Sequence, residues 1–274
     1  MKVLLNDSEQ LANFEQEINR VASQVREQIG AKEARYIKKI VRLQRGSGVL
    51  GRISIALGFV HPVWWVIGVL ALALSKILDN MEIGHNVMHG QYDFMNDPQL
   101  SGRNFEWDNV ADADSWRRYH NFEHHTYTNI IGKDRDYGYG LFRLSDDLPW
   151  RPKNRYQIIS YALLSLLFEW GVAYHELAGE RVFIGKKKEQ SNLPISHAEL
   201  KKAFFNKMGK QVFKDYVFWP LVFFPVWGYV LLGNLVANLI RNLWTSTIIF
   251  CGHFTENAQT FLPENCENES RGQW

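Results

Sequence analysis

The amino-acid sequence predicts an all-α integral membrane protein, in which transmembrane helix hairpins carry a helical cap on the cytoplasmic side. Two apolar runs support this prediction, residues 53–75 and 216–240, and neither contains a charge unless His61 is protonated. Each has roughly the 20 residues that a helix needs to cross a bilayer. Basic residues flank both runs and place the flanking segments in the cytoplasm. The alternative is a buried helical hairpin in a water-soluble protein, but runs so long and aromatic favour the membrane.

Two residue pairs predict where the apolar runs turn. Gly233-Asn234 lies where a hairpin turn would split the second run into two helices. His61-Pro62 either makes a turn of the same kind in the first run or kinks one helix. Arg241 interrupts the second run, which then continues to Cys251. The number of spans that precede His85 stays open on this pattern.

The N-terminal part of the chain, residues 1–45, is predicted to be an amphipathic and basic cytoplasmic segment. Apolar residues recur every three or four positions over residues 8–29, which predicts an amphipathic helix with Gly30 as its stop. The opening residues are acidic and lack the apolar core of a signal peptide. Residues 46–274 are then expected to form one domain.

Two further stretches predict helices at the membrane surface. Residues 156–177 are apolar but carry Glu169, His175 and Glu176, so we interpret them as one partly buried interfacial helix. A basic cluster at residues 185–189 precedes a lysine-rich amphipathic stretch that opens on a capping box of Ser196 and Glu199. That stretch is also typical of a helix lying in the interface.

Composition excludes several classes of protein. The chain has 274 residues with 31 Lys and Arg against 29 Asp and Glu, so it carries no overall basic footprint for nucleic acid. Cys251 and Cys266 are its two cysteines, and they lack CxxC spacing. The chain therefore offers neither a disulfide framework nor a thiolate metal site, and a reducing compartment fits.

The first histidine pair directly follows the first apolar run. His85 and His89 are four residues apart, so on a helix they share one face and can hold one metal ion. Asp79 and Glu82, on nearby turns, are candidates to orient a ligand through its second ring nitrogen. The zinc-protease pattern HExxH does not fit, because Asn86 stands where the general base would be.

The second cluster, in "WRRYHNFEHHTYTN", has three histidines within six residues. His120 and His124 repeat the four-residue spacing, whereas His125 points about 100° further around a helix and suits a second ion. A sixth histidine, His253, ends the last apolar helix and is expected on the same side of the membrane, either as a ligand or as a structural residue. Many imidazoles with few carboxylates or thiolates indicate iron, copper or zinc in a catalytic role. We interpret the remaining histidines, His61, His175 and His197, as structural. Of these, His175 is a weak candidate to support a ligand.

The two histidine clusters and the residues around them resemble the motifs of a known protein family. "HNVMH" and "HNFEHH" resemble the first two histidine boxes of the membrane fatty acid desaturases, and "NMEIGHNVMHGQYDFMNDP" and "HHTYTNIIGKDRDYGYG" resemble the bacterial branch that acts on acyl-CoA or acyl-lipid. The resemblance covers roughly residues 45–274. It implies a bacterial inner-membrane enzyme of lipid metabolism that desaturates a fatty acyl chain with dioxygen at a non-haem di-iron centre on the cytoplasmic side. It further implies electrons from NAD(P)H through a separate reductase and ferredoxin-like carrier. By the same resemblance six residues are iron ligands: His85, His89, His120, His124, His125 and His253.

The family also has a third box, [HQ]xxHH, and none is present before the sequence ends at "ENCENESRGQW". We therefore expect the domain as given to be C-terminally incomplete, and without that box its iron site would lack ligands. Two alternatives stay open at this point. One is an alkane- or lipid-hydroxylating membrane monooxygenase with related boxes, and the other is an inactive membrane protein that binds metal or lipid.

Overall fold

The computed structural model describes residues 8–184 and 196–266, and within these ranges the chain is helical and contains no β-strand. An isolated parallel bridge joins Ile130 to Phe261. The α-helices, in chain order, are α1 (Ser8–Gln28), α2 (Ala31–Ala56), α3 (Pro62–Ile77), α4 (His85–Met88), α5 (Ala113–Trp116), α6 (His125–Tyr127), α7 (Gln157–Leu166), α8 (Phe168–Glu176), α9 (Gly179–Val182), α10 (His197–Phe213), α11 (Trp219–Val222), α12 (Trp227–His253) and α13 (Pro263–Cys266). The basic cluster at 185–189 and the chain after residue 266 lie outside the described residues.

Short helices of other pitch complete the chain. π-helical turns follow α3 at Leu78–Gly84, lead into α6 at Arg117–His124 and join α10 to α11 at Lys214–Phe218. The 3₁₀ turns are Leu57–Phe59, Asp93–Met95, Pro98–Leu100, Tyr137–Gly140, Pro152–Tyr156 and Phe224–Val226. The helix over residues 8–29 and its stop at Gly30 are confirmed, and so is the capping box of Ser196 and Glu199.

Helices α2 and α3 form a tight hairpin that turns at His61-Pro62. The His61 ring nitrogen Nδ1 accepts a hydrogen bond from the Val63 amide at 3.2 Å, and Pro62 occupies the first helical position. The helices are in close backbone contact, because a Cβ atom on Gly68 would lie 2.4 Å from the Ile55 nitrogen. Of the two alternatives for this pair, a turn or a kink, the structure shows the turn.

The turn predicted at Gly233-Asn234 is wrong, because α12 runs through both residues without a break. Gly233 lies against Ile55, where a Cβ atom would be 2.8 Å from Cγ2, and the Asn234 side chain donates to the Asp215 carbonyl at 2.6 Å. Both residues therefore serve helix packing. The chain instead bends by 106° between Val222 and Phe224, next to Pro225, whose missing N–H cannot continue the helical ladder.

The single interfacial helix predicted over residues 156–177 is also wrong. The chain breaks at Leu167 into α7 and α8, which meet at 95°. Helix α7 exposes Ile158 and Ile159, whereas α8 buries Phe168 and Val172 in the core. This bend turns the polar residues of α8 toward the interior of the protein.

One helical segment of the described chain, Pro62–Met88, is long and apolar enough to cross a membrane. Two bent helix pairs bring the number of candidate spans to as many as three, namely Pro152–Leu166 with Phe168–Glu176 and His197–Val222 with Phe224–His253. The histidine at position 85 thus lies in the last turn of the clearest candidate span. An apolar helix therefore leads directly into the first histidine pair.

Charged side chains are buried where these helices meet. Lys76 Nζ lies 2.7 Å from Asp215 Oδ2, and Arg241 Nη2 lies 2.6 Å from Glu169 Oε1. All four side chains are at most 4% exposed. Burial of an unpaired charge is very costly, so each ion is held opposite a partner. This pairing explains how Arg241 is accommodated within an apolar run.

Candidate metal centre

The first histidine box directly follows the π-helical turn Leu78–Gly84, and the second begins within the π-helical turn Arg117–His124. Such distortions of the α-helix are frequent at functional sites. In the first box the Nε2 atoms of His85 and His89 are 3.2 Å apart. In the second box the rings of His120 and His124 are stacked with centroids 5.1 Å apart. The four-residue spacing therefore places each pair on one face, as the sequence predicts.

The structure brings all six predicted histidines into one cluster. The His125 ring lies 4.8 Å from that of His89 and 4.9 Å from that of His120, measured between centroids. His253 reaches the cluster from the end of α12, with its ring 5.3 Å from that of His124. Its Nδ1 atom is 2.9 Å from the Ile249 carbonyl, so the Nδ1 proton is donated to the backbone and Nε2 is left as the acceptor. The role of these six residues as ligands stays a prediction.

Two aspartates behind the second box orient its rings. His120 Nδ1 lies 2.9 Å from Asp136 Oδ2, and His124 Nδ1 lies 3.0 Å from Asp134 Oδ1. A carboxylate that accepts the Nδ1 proton fixes the tautomer and leaves the Nε2 lone pair for a metal ion. Sequence reasoning missed both aspartates, although the DxD pattern in "GKDRD", nine residues after the box, offers a signal.

The orienting role predicted for Asp79 and Glu82 is wrong. Asp79 accepts a hydrogen bond from the Asp108 amide at 2.6 Å, and Glu82 accepts one from the Tyr36 hydroxyl at 2.5 Å. Both carboxylates therefore hold together loops and helices near the first box. Spacing along one helix could not exclude this role, because the Asp108 amide and the Tyr36 hydroxyl that bind the two carboxylates come from other segments of the chain.

Two of the remaining histidines lie where the sequence suggests. His61 caps α3, and His175 lies behind the cluster, with its Nε2 atom 3.0 Å from Asp136 Oδ1. Asp136 therefore accepts hydrogen bonds from His120 and His175 at once. His197 is exposed at the start of α10.

The electrostatics of the cluster differ from ring to ring. Burial, together with the imidazoles of His120 and His125, lowers the pKa of His89 to about 4. Burial opposes protonation of His124 as well, but the carboxylates of Asp134 and Asp136 outweigh it and raise the pKa of that imidazole. Burial likewise opposes ionisation of Asp136, yet its hydrogen bonds to His120 and His175 hold its pKa well below the usual value. A neutral imidazole is the form that binds metals.

The arrangement of donor atoms fits a metal ion. His120 Nε2 is buried and has no hydrogen-bond partner, a costly state for a polar atom unless something else contacts it. One ligand atom each from His85, His89 and His120 lies within 4.8 Å of the others, and the same is true of His120, His124 and Asp136. In the second group the Asp136 carboxylate is the hydrogen-bond partner of His120 Nδ1, so the free nitrogens of the first group are the ones that can meet one ion. Imidazoles are a donor set for iron, copper or zinc.

A small cavity of about 50 Å³ opens beside these rings. Trp116 forms one wall and stacks on His120 with centroids 4.4 Å apart. The buried Arg241–Glu169 pair lines it as well. The cavity is thus lined by histidines of the cluster, by apolar side chains and by this ion pair.

Comparison with known proteins agrees with this geometry. A profile of the fatty acid desaturase family matches residues 62–274. The chain therefore belongs to the fatty acid desaturase family, and the resemblance noted in the histidine boxes is confirmed.

Two curated relatives match most of this chain. An NADPH-dependent stearoyl-CoA 9-desaturase of Mycobacterium tuberculosis is 40% identical over 96% of this chain and 61% of its own length. An sn-1 linoleoyl-lipid 6-desaturase of Synechocystis is 25% identical over 76% of this chain and 58% of its own length. The chain thus spans about three fifths of the length of these curated relatives. No solved structure gives a significant match.

Proposed function

We propose that this chain belongs to an enzyme that introduces a double bond into a fatty acyl chain with dioxygen. The single observation behind the proposal is the cluster of six histidines at the end of apolar helices, backed by Asp134 and Asp136. Family membership supports the same chemistry. The cofactor in this proposal is a pair of iron ions held by His85, His89, His120, His124, His125 and His253.

When bound, the iron pair would supply the oxidising power that an unactivated C–H bond requires. The contribution of the protein residues is positional. Asp136 holds the His120 ring by its Nδ1 proton, Asp134 holds the His124 ring in the same way, and the Ile249 carbonyl holds His253. Each ring therefore presents Nε2 inward without reorganisation, and a preorganised ligand shell is what a reactive metal site needs.

The cavity contributes by excluding water. Trp107, Trp116, Phe168 and Val172 line it with apolar surface, and each is less than 9% exposed. An acyl chain in contact with these side chains would displace water from the reacting carbons, and water exclusion suppresses side reactions of an oxidising centre.

Substrate carrier and electron donor follow by analogy. The mycobacterial relative is named as acting on stearoyl-CoA and as depending on NADPH. We propose an acyl-CoA substrate, or a lipid-linked one, and electrons from NAD(P)H through a ferredoxin-type carrier and its reductase. In this proposal the histidine cluster lies at the cytoplasmic face of a bacterial inner membrane, at the His85 end of the span that begins at Pro62.

Product analysis of membranes that contain the protein, iron and a reductase system tests the proposal. A new double bond in the acyl chain is the expected product. An alcohol would instead identify a hydroxylase, and neither product would identify a protein that binds metal or lipid without turnover. His124→Ala should abolish turnover and lower bound iron without changing membrane insertion, whereas exposed His197→Ala should change none of the three.

A further inference from the structure

Two cavities lie on either side of one residue, Tyr139. An open cleft of about 570 Å³ is bounded by the loop of residues 131–154 and by one side of α7 and α8. The smaller cavity of about 50 Å³ is lined by three histidines of the cluster, His85, His120 and His253. Among the described residues, Tyr139 alone lines both cavities. Its side chain therefore separates the open cleft from the metal-binding face.

The Tyr139 ring makes aromatic contacts with residues of two helices, α8 and α12. It stacks on Phe250 of α12 with centroids 5.7 Å apart, and it lies 6.3 Å from Phe168 and 4.8 Å from His175 of α8. The apolar burial in these contacts is non-directional, so they can be exchanged for contacts with another apolar group. An acyl chain inserted between α8 and α12 would offer the same apolar surface.

The backbone at this position is held in an unusual conformation. Tyr139 has φ +52°, and its neighbours Gly138 and Gly140 have φ +70° and +65°. Non-glycine residues adopt this region rarely, and strain of this kind concentrates at functional sites. A glycine on each side gives the tyrosine freedom to rotate, because glycine adopts either sign of φ at little cost.

The cleft on the outer side of Tyr139 is suited to a charged head group with an apolar tail. Four basic side chains line it, Arg135, Arg143, Arg151 and Lys153, against the acidic Asp134 and Glu180. Leu141, Leu148, Leu164 and Ile184 line it too. Lys153 Nζ donates to the Gly140 carbonyl at 2.6 Å, so a basic residue of the cleft is joined to the loop that carries Tyr139.

We propose that Tyr139 is a gate through which the acyl chain passes from the basic cleft into the histidine-lined cavity. This inference rests on the proposed function, because it takes an acyl chain as the substrate. Tyr139 is a residue that controls substrate entry and position; it holds no proton or metal in the reaction. Rotation of the ring away from Phe250, on its two glycine neighbours, would connect the two cavities.

Tryptophan quenching measures chain entry without turnover. Trp107 and Trp116 line the inner cavity, so an acyl chain with bromine atoms near its middle quenches their fluorescence only after it has passed Tyr139. The probe is 9,10-dibromostearoyl-CoA, mixed by stopped flow with the iron-loaded protein in detergent. The difference between the wild type and Trp107→Phe isolates the signal of the inner cavity from that of the exposed tryptophans.

We expect Tyr139→Ala to raise the rate of this quench about tenfold, since association is slow where a conformational change must precede it. Tyr139→Phe keeps the ring and should stay within about twofold of the wild type. Free CoA should give no quench in any variant. Iron content and thermal unfolding of each variant check that the metal centre and the fold are unchanged.

The outcomes separate the two proposals. An equal rate in the wild type and Tyr139→Ala would overturn the gate while leaving acyl binding intact. Loss of the quench in Tyr139→Ala alone would also overturn it, since the ring would then be needed to hold the chain. A wild-type protein that shows no inner-cavity quench at saturating probe would contradict the proposed acyl substrate itself.

Discussion

The Nδ1 atom of His120 lies 2.9 Å from Oδ2 of Asp136, and this hydrogen bond decides which ring nitrogen faces the cavity. The Asp136 carboxylate bonds His175 through its other oxygen at 3.0 Å. One buried carboxylate therefore anchors a ring of the second histidine box to a helix on the far side of the cluster. We therefore expect the arrangement of the histidine rings to depend on this residue.

Asp136→Asn should weaken metal binding while leaving the fold intact. The amide keeps the size of the side chain but loses the charge that holds the His120 tautomer, and loss of such a partner typically costs 10–100-fold in metal affinity. Iron bound per protein, titrated against a chelator, measures the change. Asp114→Asn is the matched control, because Asp114 is 75% exposed and pairs with Arg117, one turn away on the same segment. Equal affinity of the two variants would show that Asp136 is not an orienting residue.

Metal loading should depend on pH through His124. Its pKa is raised above the usual value by Asp134 and Asp136, whereas that of His89 is lowered to about 4. At neutral pH His89 is therefore already neutral, whereas His124 keeps its proton to a higher pH than an ordinary histidine, and over that range the proton competes with an incoming metal ion. Affinity should rise with pH and level off only above the raised pKa of His124.

Asp134→Asn supplies the comparison for this pH dependence. Removing the negative charge should bring the pKa of His124 down, so the rise in iron affinity should move to lower pH even though the plateau affinity falls. A chelator competition series from about pH 5.5 to 8.5 brackets the ordinary histidine range. An identical profile in both proteins would rule out His124 as the titrating ligand.

Breaking the buried Arg241–Glu169 pair should be more harmful than removing it whole. Arg241→Met leaves the Glu169 carboxylate buried without its cation, at a cost of about 3–5 kcal/mol. The double variant Arg241→Met with Glu169→Leu removes both charges and should recover most of that loss. Thermal unfolding in detergent ranks the three proteins. A double variant no more stable than the single one would indicate that the pair is needed for more than charge balance.

The hairpin of α2 and α3 should tolerate no side chain at Gly68. A Cβ atom there would lie 2.4 Å from the Ile55 nitrogen, so Gly68→Ala must push the two helices apart and should cost about 1–3 kcal/mol as overpacking does. Gly46→Ala, with nothing within 4 Å of its Cβ, is the control. Alanine suits a helix better than glycine, so this control should be neutral or up to about 1 kcal/mol more stable. The free energies of unfolding of both variants measure these effects, and a Gly68→Ala variant as stable as the wild type would contradict the prediction.

Helical periodicity in the sequence predicts the structure correctly where the residues concerned lie on one helix. The amphipathic helix over residues 8–29, its stop at Gly30 and the shared face of His85 and His89 all follow from helical periodicity. Breaks in apolar helices were predicted less well. A glycine-asparagine pair marks either a turn or a close helix contact, and only the presence of Ile55 and Asp215 beside Gly233-Asn234 decides between them.

The sequence by itself determined the helical class, the family and the six histidines as candidate ligands, because spacing along one helix and the chemistry of imidazole are properties of short segments. The tertiary structure decided which carboxylates orient those rings, how Arg241 finds Glu169, and that Tyr139 stands between two cavities. These relationships join residues far apart in the chain. They depend on how the helices pack, which is set by the burial of the whole core and cannot be seen in any one segment.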